Sequence, residues 1–264
     1  MGAEVETGCS ILDISELGTV KEAGYDYLEM MGKYLVGMDE QDFSLVERAL
    51  YENAFPCGGL NAYCPESLVI AGPGFDRKRA GEYAAICARR AGAIGVKCVG
   101  IGSPRSRRLP EGYDRKVADR QLIDFLKETA EAFGKQGIRV CLEPLAPCYC
   151  NYINRLEEAA DLVDGIGWEN IGLVGDFYNM EETGEADQDL SRFRRLCHVH
   201  ISDDDGGPWS RSYLKKERRK LHQIRLNRLY ENGYKGAVSL EIDVPAQLER
   251  AKDSIRIMKA ERGM

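Results

Sequence analysis

Ile138-Arg139-Val140-Cys141-Leu142-Glu143-Pro144 is a short apolar run, β-branched in part and stopped by an acid and a proline. A run that stays apolar on both parities suits a strand covered on both faces, the condition of a parallel sheet. Residues 115–136 precede it with helical periodicity, and residues 156–164 repeat that pattern before the next apolar run, 171–176. Outward from there the alternation covers the chain. Further strands are predicted at 4–10, 25–30, 59–64, 95–103, 196–202 and 237–242, with helices at 39–51, 77–91, 214–231 and 247–261. Eight strands in 264 residues leave roughly 33 residues per unit, the size of one βα repeat. An open doubly wound sheet needs no eighth strand and usually carries a glycine-rich phosphate turn after its first strand, which is lacking here. The sequence therefore predicts an α/β protein, one (β/α)8 TIM barrel spanning residues 1–264 as a single domain.

A barrel of this kind does its chemistry at the C-terminal ends of its strands. The fifth run ends in Glu143, the sixth in Asp176 and the eighth in Glu241, while the seventh contains His198-Val199-His200. One acidic strand end is explained by a helix cap or a surface ion pair. Three carboxylates and an imidazole on four adjacent strands need a compensating cation. Oxygen and imidazole donors without thiolates suit Mn²⁺, Mg²⁺, Co²⁺ or Zn²⁺, with manganese the first expectation. His198 and His200 share parity, and the later one lies nearer the rim. His200 is thus the expected ligand, and His198 the expected support behind it.

These residues resemble the xylose-isomerase-like sugar isomerase/epimerase superfamily. The likeness rests on Glu143-Pro144-Leu145, Asp176 followed by Asn179-Met180-Glu181-Glu182, His198-Val199-His200-Ile201-Ser202-Asp203, and Gly233-Tyr234-Lys235-Gly236 leading into a strand that ends at Glu241. The resemblance implies a divalent metal held by Glu143, Asp176, His200 and Glu241. It also implies proton transfer through an enediolate, with Glu143 and Glu241 as the acid/base pair. Ketose 3-epimerases of the family carry substrate-gripping histidine, arginine and glutamate where this chain has Asn179, Gly206 and Tyr149, which argues against a free ketohexose. Elimination from the same enolate, as in inosose or dehydroshikimate dehydratases or the metal subunit of 3-oxo-C-glycoside-cleaving enzymes, is the alternative. A sugar-binding subunit without catalysis is a third reading. Endonuclease IV, on the same barrel, needs many more metal histidines than His198, His200 and His222.

Other segments supply the substrate contacts. Arg105 and Arg108, in Gly102-Ser103-Pro104-Arg105-Ser106-Arg107-Arg108, are expected to meet a phosphate or carboxylate if they do not simply pair with nearby acids. Tyr149 and Trp209 are expected to stack on a sugar ring or aromatic group. Glu29, Asn61 and Asn179 complete the expected contacts. Residues 203–211 are too rich in turn formers for a helix and read as a lid, without the spacing of a calcium loop. His222 is expected to be structural.

A net charge of -7 gives no general attraction to nucleic acid or anionic lipid. No stretch reads as a membrane anchor, and the acidic start lacks a basic, apolar leader, so a cytoplasmic location is expected. The expected partner is a small carbohydrate or polyol derivative, with homo-oligomer or hetero-complex formation compatible with the barrel. Nine scattered cysteines do not form a disulfide framework. Cys98, Cys141 and Cys197 lie inside apolar runs and read as buried small hydrophobes, and Cys148-Tyr149-Cys150 lacks zinc-knuckle spacing.

Overall fold

A computed structural model describes residues 5–259. The strand and helix ends expected at residue 4 and at 260–261, and the start read for a leader, lie outside them. Eight parallel strands close into a barrel: β1 (Thr7–Ser10), β2 (Tyr27–Met31), β3 (Cys57–Asn61), β4 (Cys98–Ile101), β5 (Arg139–Leu142), β6 (Ile171–Asp176), β7 (Leu196–Ile201) and β10 (Ala237–Leu240), which pairs back to β1. A two-stranded hairpin, β8 (Asp203–Asp204) with β9 (Arg211–Ser212), follows β7. The eight expected strands are therefore all present, and the fold is the TIM barrel read from the sequence.

Helices wrap the sheet because their apolar residues recur on one stripe. In α5 (Arg115–Gly134) the buried apolar positions are Ala118, Leu122, Phe125, Leu126, Ala130 and Phe133. The stripe packs on α4 (Arg77–Ala93), whose buried Ala80, Ala84, Ala88 and Ala91 permit close approach. Asp76 and Asp114 cap these two helices, accepting from the backbone N–H groups of Arg79 and Lys116. Outward strand residues such as Leu28, Val99, Val140 and Val238 are fully buried beneath the helices.

The barrel interior departs from the usual filling of branched apolar side chains. Tyr27, Glu29, His198, His200 and Ser239 point into it, all buried. Glycine makes the room: a Cβ on Gly59 would stand 2.6 Å from the Glu29 carboxylate. Tyr27 Oη lies 2.6 Å from Ser239 Oγ, which donates to Glu29 Oε1 at 2.8 Å. A polar column thus rises through the barrel toward its C-terminal rim.

The helix expected at 214–231 begins later, as α8 (Arg219–Glu231) after a 3-10 turn at Lys216–Arg218. The reason is Asp203, fully buried at the base of the hairpin. It accepts from the Lys215 backbone N–H at 2.6 Å and from Arg218 at 2.7 Å, and it lies 2.9 Å from His222 Nε2. Burial pushes the Asp203 pKa up, but His222, the Lys215 N–H and Arg218 outweigh it and hold the carboxyl below its ordinary value. His222 has the structural place expected of it. The stability Asp203 supplies is present above the ordinary carboxylate pKa and lost as pH falls through the lower folded value. Asp203→Asn should cost about 2 kcal/mol at pH 7, and melting curves of the two proteins should converge below about pH 4. A gap that stays constant from pH 7 to 3 would refute the anchoring role.

Candidate active site

Register brings the site together. Asp176 pairs with His200 across β6 and β7, and His200 with Ser239 across β7 and β10. Glu143 and Glu241 each stand one residue beyond their strand, their N–H groups extending the ladder to Ile101 and Ile201. His200 Nδ1 lies 3.5 Å from both Glu143 Oε1 and Glu241 Oε2. One donor atom from each of these three residues falls within a 4.8 Å span. On the other edge of the ring, His200 Nε2 lies 3.1 Å from Glu29 Oε2. A proton on Nε2 directed at Glu29 leaves Nδ1 as the lone pair facing Glu143 and Glu241.

Glu29 is therefore not at the substrate surface where the sequence placed it. Strand β2 runs on to Met31, so Glu29 sits one layer lower, 1% exposed. It orients His200, with His198 Nε2 2.7 Å from its other oxygen.

Asp176 stands beside this trio and is fully buried. Its Oδ1 accepts from the Tyr178 N–H, and its Oδ2 from Asn179 Nδ2 and Arg211 Nη1, both at 2.6 Å. Asn179 also donates to Glu143 Oε1 at 3.4 Å and accepts from the Ala146 N–H. Its amide is thus committed to ordering two acids and one loop, a different place from the substrate contact expected. Arg211 was missing from the sequence reading. It is buried, donates to Ser202 Oγ through Nε, and places Nη2 2.9 Å from Glu241 Oε2. The hairpin delivers it: Asp204 pairs with Arg211, and the Asp204 carboxylate accepts the Gly206 and Gly207 N–H groups at the turn.

The site's charge is unbalanced. Burial, together with Glu143 and Asp176, pushes the Glu241 carboxyl up to about 8 despite Arg211 and His200. Burial lowers the His200 pKa, but Glu241 and Glu29 win and raise it. A ring of acids strained in this way, around an imidazole that can give up its second proton to a metal, fits a divalent cation. The donors that would hold it are Glu143, His200 and Glu241, with Asp176 adjoining, and their chemistry suits Mg²⁺, Mn²⁺, Co²⁺ or Zn²⁺.

A cavity of about 320 Å³ opens onto these groups. Glu143, Arg211 and Glu241 line its polar floor, and Leu145, Tyr149 and Trp209 its apolar wall. The two aromatic rings meet edge to face at 4.7 Å, and Trp209 remains 58% exposed. Arg105 also lines the cavity, but it pairs with Glu66 and lies over the Trp209 ring at 5.8 Å. Arg108 turns away to donate to the Tyr149 carbonyl. The arginine of that run which packs behind the site is Arg107, fully buried and donating to the backbone carbonyl of Glu143 at 2.6 Å. Asn61 is buried near the end of β3, outside the residues lining this cavity.

Residues 17–261 match the family model of the xylose isomerase-like TIM barrel. The chain belongs to that family. An inosose isomerase of Halalkalibacterium halodurans is 25% identical over 263 residues, covering 93% of this chain and 88% of that protein. A 3-dehydro-D-guloside 4-epimerase of Escherichia coli K12 is 27% identical over 198 residues, covering 70% of this chain and 72% of the epimerase. Among solved structures, the IOLI protein with a bound zinc atom shares the fold, with a TM-score of 0.66 at 18% identity, covering 96% of this chain and 95% of that one. In this member of the xylose isomerase-like TIM barrels, no helix of the described residues is long and apolar enough to cross a membrane.

Proposed function

We propose that the protein is a divalent-metal-dependent isomerase or epimerase of keto-sugars or cyclitol ketones, acting through an enediolate. The carrying observation is that Glu143 and Glu241 flank His200 Nδ1 at equal distance, 3.5 Å, and both face one cavity. Two carboxyls on one substrate plane supply a base for the proton beside a carbonyl and an acid to return it. Glu143, Asp176, His200 and Glu241 would hold a divalent ion, which would supply Lewis-acid chemistry at the substrate carbonyl. Arg211 contributes fixed positive charge on the cavity floor, where the enediolate oxygens would develop negative charge. Tyr149 and Trp209 offer an apolar wall to the ring face of the substrate. The two curated relatives act, by their names, on an inosose and on a 3-dehydro-guloside, both ketones flanked by carbinol carbons, and they support this substrate class.

The test is incubation of the Mn²⁺-supplemented protein with an inosose and with a 3-dehydro-glucoside in deuterated water, followed by proton NMR. Deuterium should enter at the carbon beside the carbonyl while an isomer accumulates. Loss of water or of an aglycone would assign the chemistry to elimination instead, and absence of exchange with both compounds would overturn the proposal.

A further inference from the structure

Three thiols gather at the opposite end of the barrel. Cys98 opens β4, Cys141 lies in β5 and Cys197 is the second residue of β7. Cys98 and Cys141 bring their sulfurs to 3.3 Å. Gly172, registered with Cys141, leaves the space in β6 through which Cys197 reaches them: a Cβ there would stand 2.4 Å from the Cys197 sulfur and 3.4 Å from that of Cys141. Cys197 is not the buried hydrophobe its sequence suggests. It is half-buried and lines two surface cavities, of about 350 and 320 Å³.

The surroundings of Cys197 are cationic. Arg139 Nη1 donates to its sulfur at 3.5 Å, and Arg194 and Lys235 line the larger cavity beside it. Among the described residues, none of these three cations forms an ion pair with a carboxylate. In the smaller cavity Lys97 is already matched by Glu6. Tyr234 and Tyr27 also face the thiols, and His198 lines the smaller cavity with Cys98 and Cys197. The Cys141 thiol, donating to Cys197, and then Arg139 and the Leu173 N–H outweigh burial and pull the Cys197 pKa down to about 6. Cys148, the exposed thiol of the chain, is shifted the other way, by burial of its surroundings and by Glu182.

We propose that Cys197 is a thiolation site, where a small disulfide carrying carboxylates docks on Arg139, Arg194 and Lys235 and exchanges with the Cys197 sulfur. The thiolate attacks one sulfur of the disulfide, a Cys197–S bond forms as the S–S bond breaks, and the other half leaves as a thiolate that takes its proton from water. Cys197 is oxidised to a mixed disulfide while the departing half is reduced.

The experiment exposes the full-length protein at pH 6.5 to oxidised glutathione, which is anionic, or to cystamine, which is cationic, and maps adducts by peptide mass spectrometry. A thiol with a pKa of about 6 is mostly thiolate there, whereas an ordinary one is not. Glutathione should mark Cys197 about tenfold faster than Cys148, and about tenfold faster than cystamine does, as expected for docking steered by charge. Arg139→Met should slow Cys197 while leaving the Cys148 rate unchanged. Labelling led by Cys148 or Cys98, or equal rates with the two disulfides at Cys197, would overturn the proposal, and both comparisons hold in the unaltered protein.

Discussion

Glu241→Gln is expected to lower turnover by about a thousandfold or more and to stop solvent deuterium entering the substrate. In the proposed mechanism the loss would combine a missing acid or base, worth about 10²–10⁴ in rate, with a missing metal ligand. The swap keeps the side-chain volume and lies at the edge of the cavity, so the fold should persist, as far-UV circular dichroism would show. Plasma mass spectrometry of the same samples should find the divalent ion reduced, and Asp176→Asn should lower it as well. Proton linkage gives a sharper form of the same result. With the Glu241 carboxyl raised to about 8 by burial and its acidic neighbours, cation binding must expel a proton near neutrality. Mn²⁺ affinity should therefore rise with pH through about 8, and Glu241→Gln should lessen that slope, leaving the part that comes from the His200 proton. A variant that keeps full activity and full metal content would remove Glu241 from the mechanism.

Much of this site was legible because strand periodicity is so regular. Once residues 196–202 are a strand, the shared parity of His198 and His200 follows, and the rim position of the later one follows from chain direction. Glu143, Asp176 and Glu241 were readable for the same reason, as the first acids after apolar runs. The errors share a cause too. Glu29 was assigned to a strand end, but β2 extends two residues beyond it, and that difference lowers its carboxylate from the cavity to the layer beneath His200. Arg107 and Arg108 are adjacent in sequence, yet one is fully buried behind Glu143 and the other caps a loop, a choice made by loop conformation that no periodicity records. Arg211 was invisible because each strand of its hairpin has only two residues, too few to show alternation. The stretch 203–211 reads as a lid because it is rich in turn formers, which say nothing of what its three aspartates hold. In the structure, Asp203 anchors α8, Asp204 closes the turn and Asp205 pairs with Arg250.

Arg211→Met should have the second large effect, and its sign depends on the metal. The guanidinium lies between Asp176 and Glu241 at 2.6 and 2.9 Å. Its removal leaves buried carboxylates facing one another with less compensating charge. Breaking a buried pair of this kind costs about 3–5 kcal/mol, or a melting temperature lower by roughly 10 °C for a chain of this size. A divalent ion supplies positive charge to the same acids. Saturating Mn²⁺ should consequently raise the melting temperature of Arg211→Met more than that of the unaltered protein, recovering most of the deficit. Activity should not recover with it. In the proposed reaction the lost donor would face the developing enediolate, and one such group is worth about 10²–10³ in turnover. Arg211→Lys should restore much of the stability but little of the rate, because an ammonium does not reproduce the planar fork that reaches two acids at once. If Mn²⁺ shifts both proteins equally, Arg211 and the metal do not share the Asp176–Glu241 field, and the hairpin that carries Arg211 is a scaffold element alone.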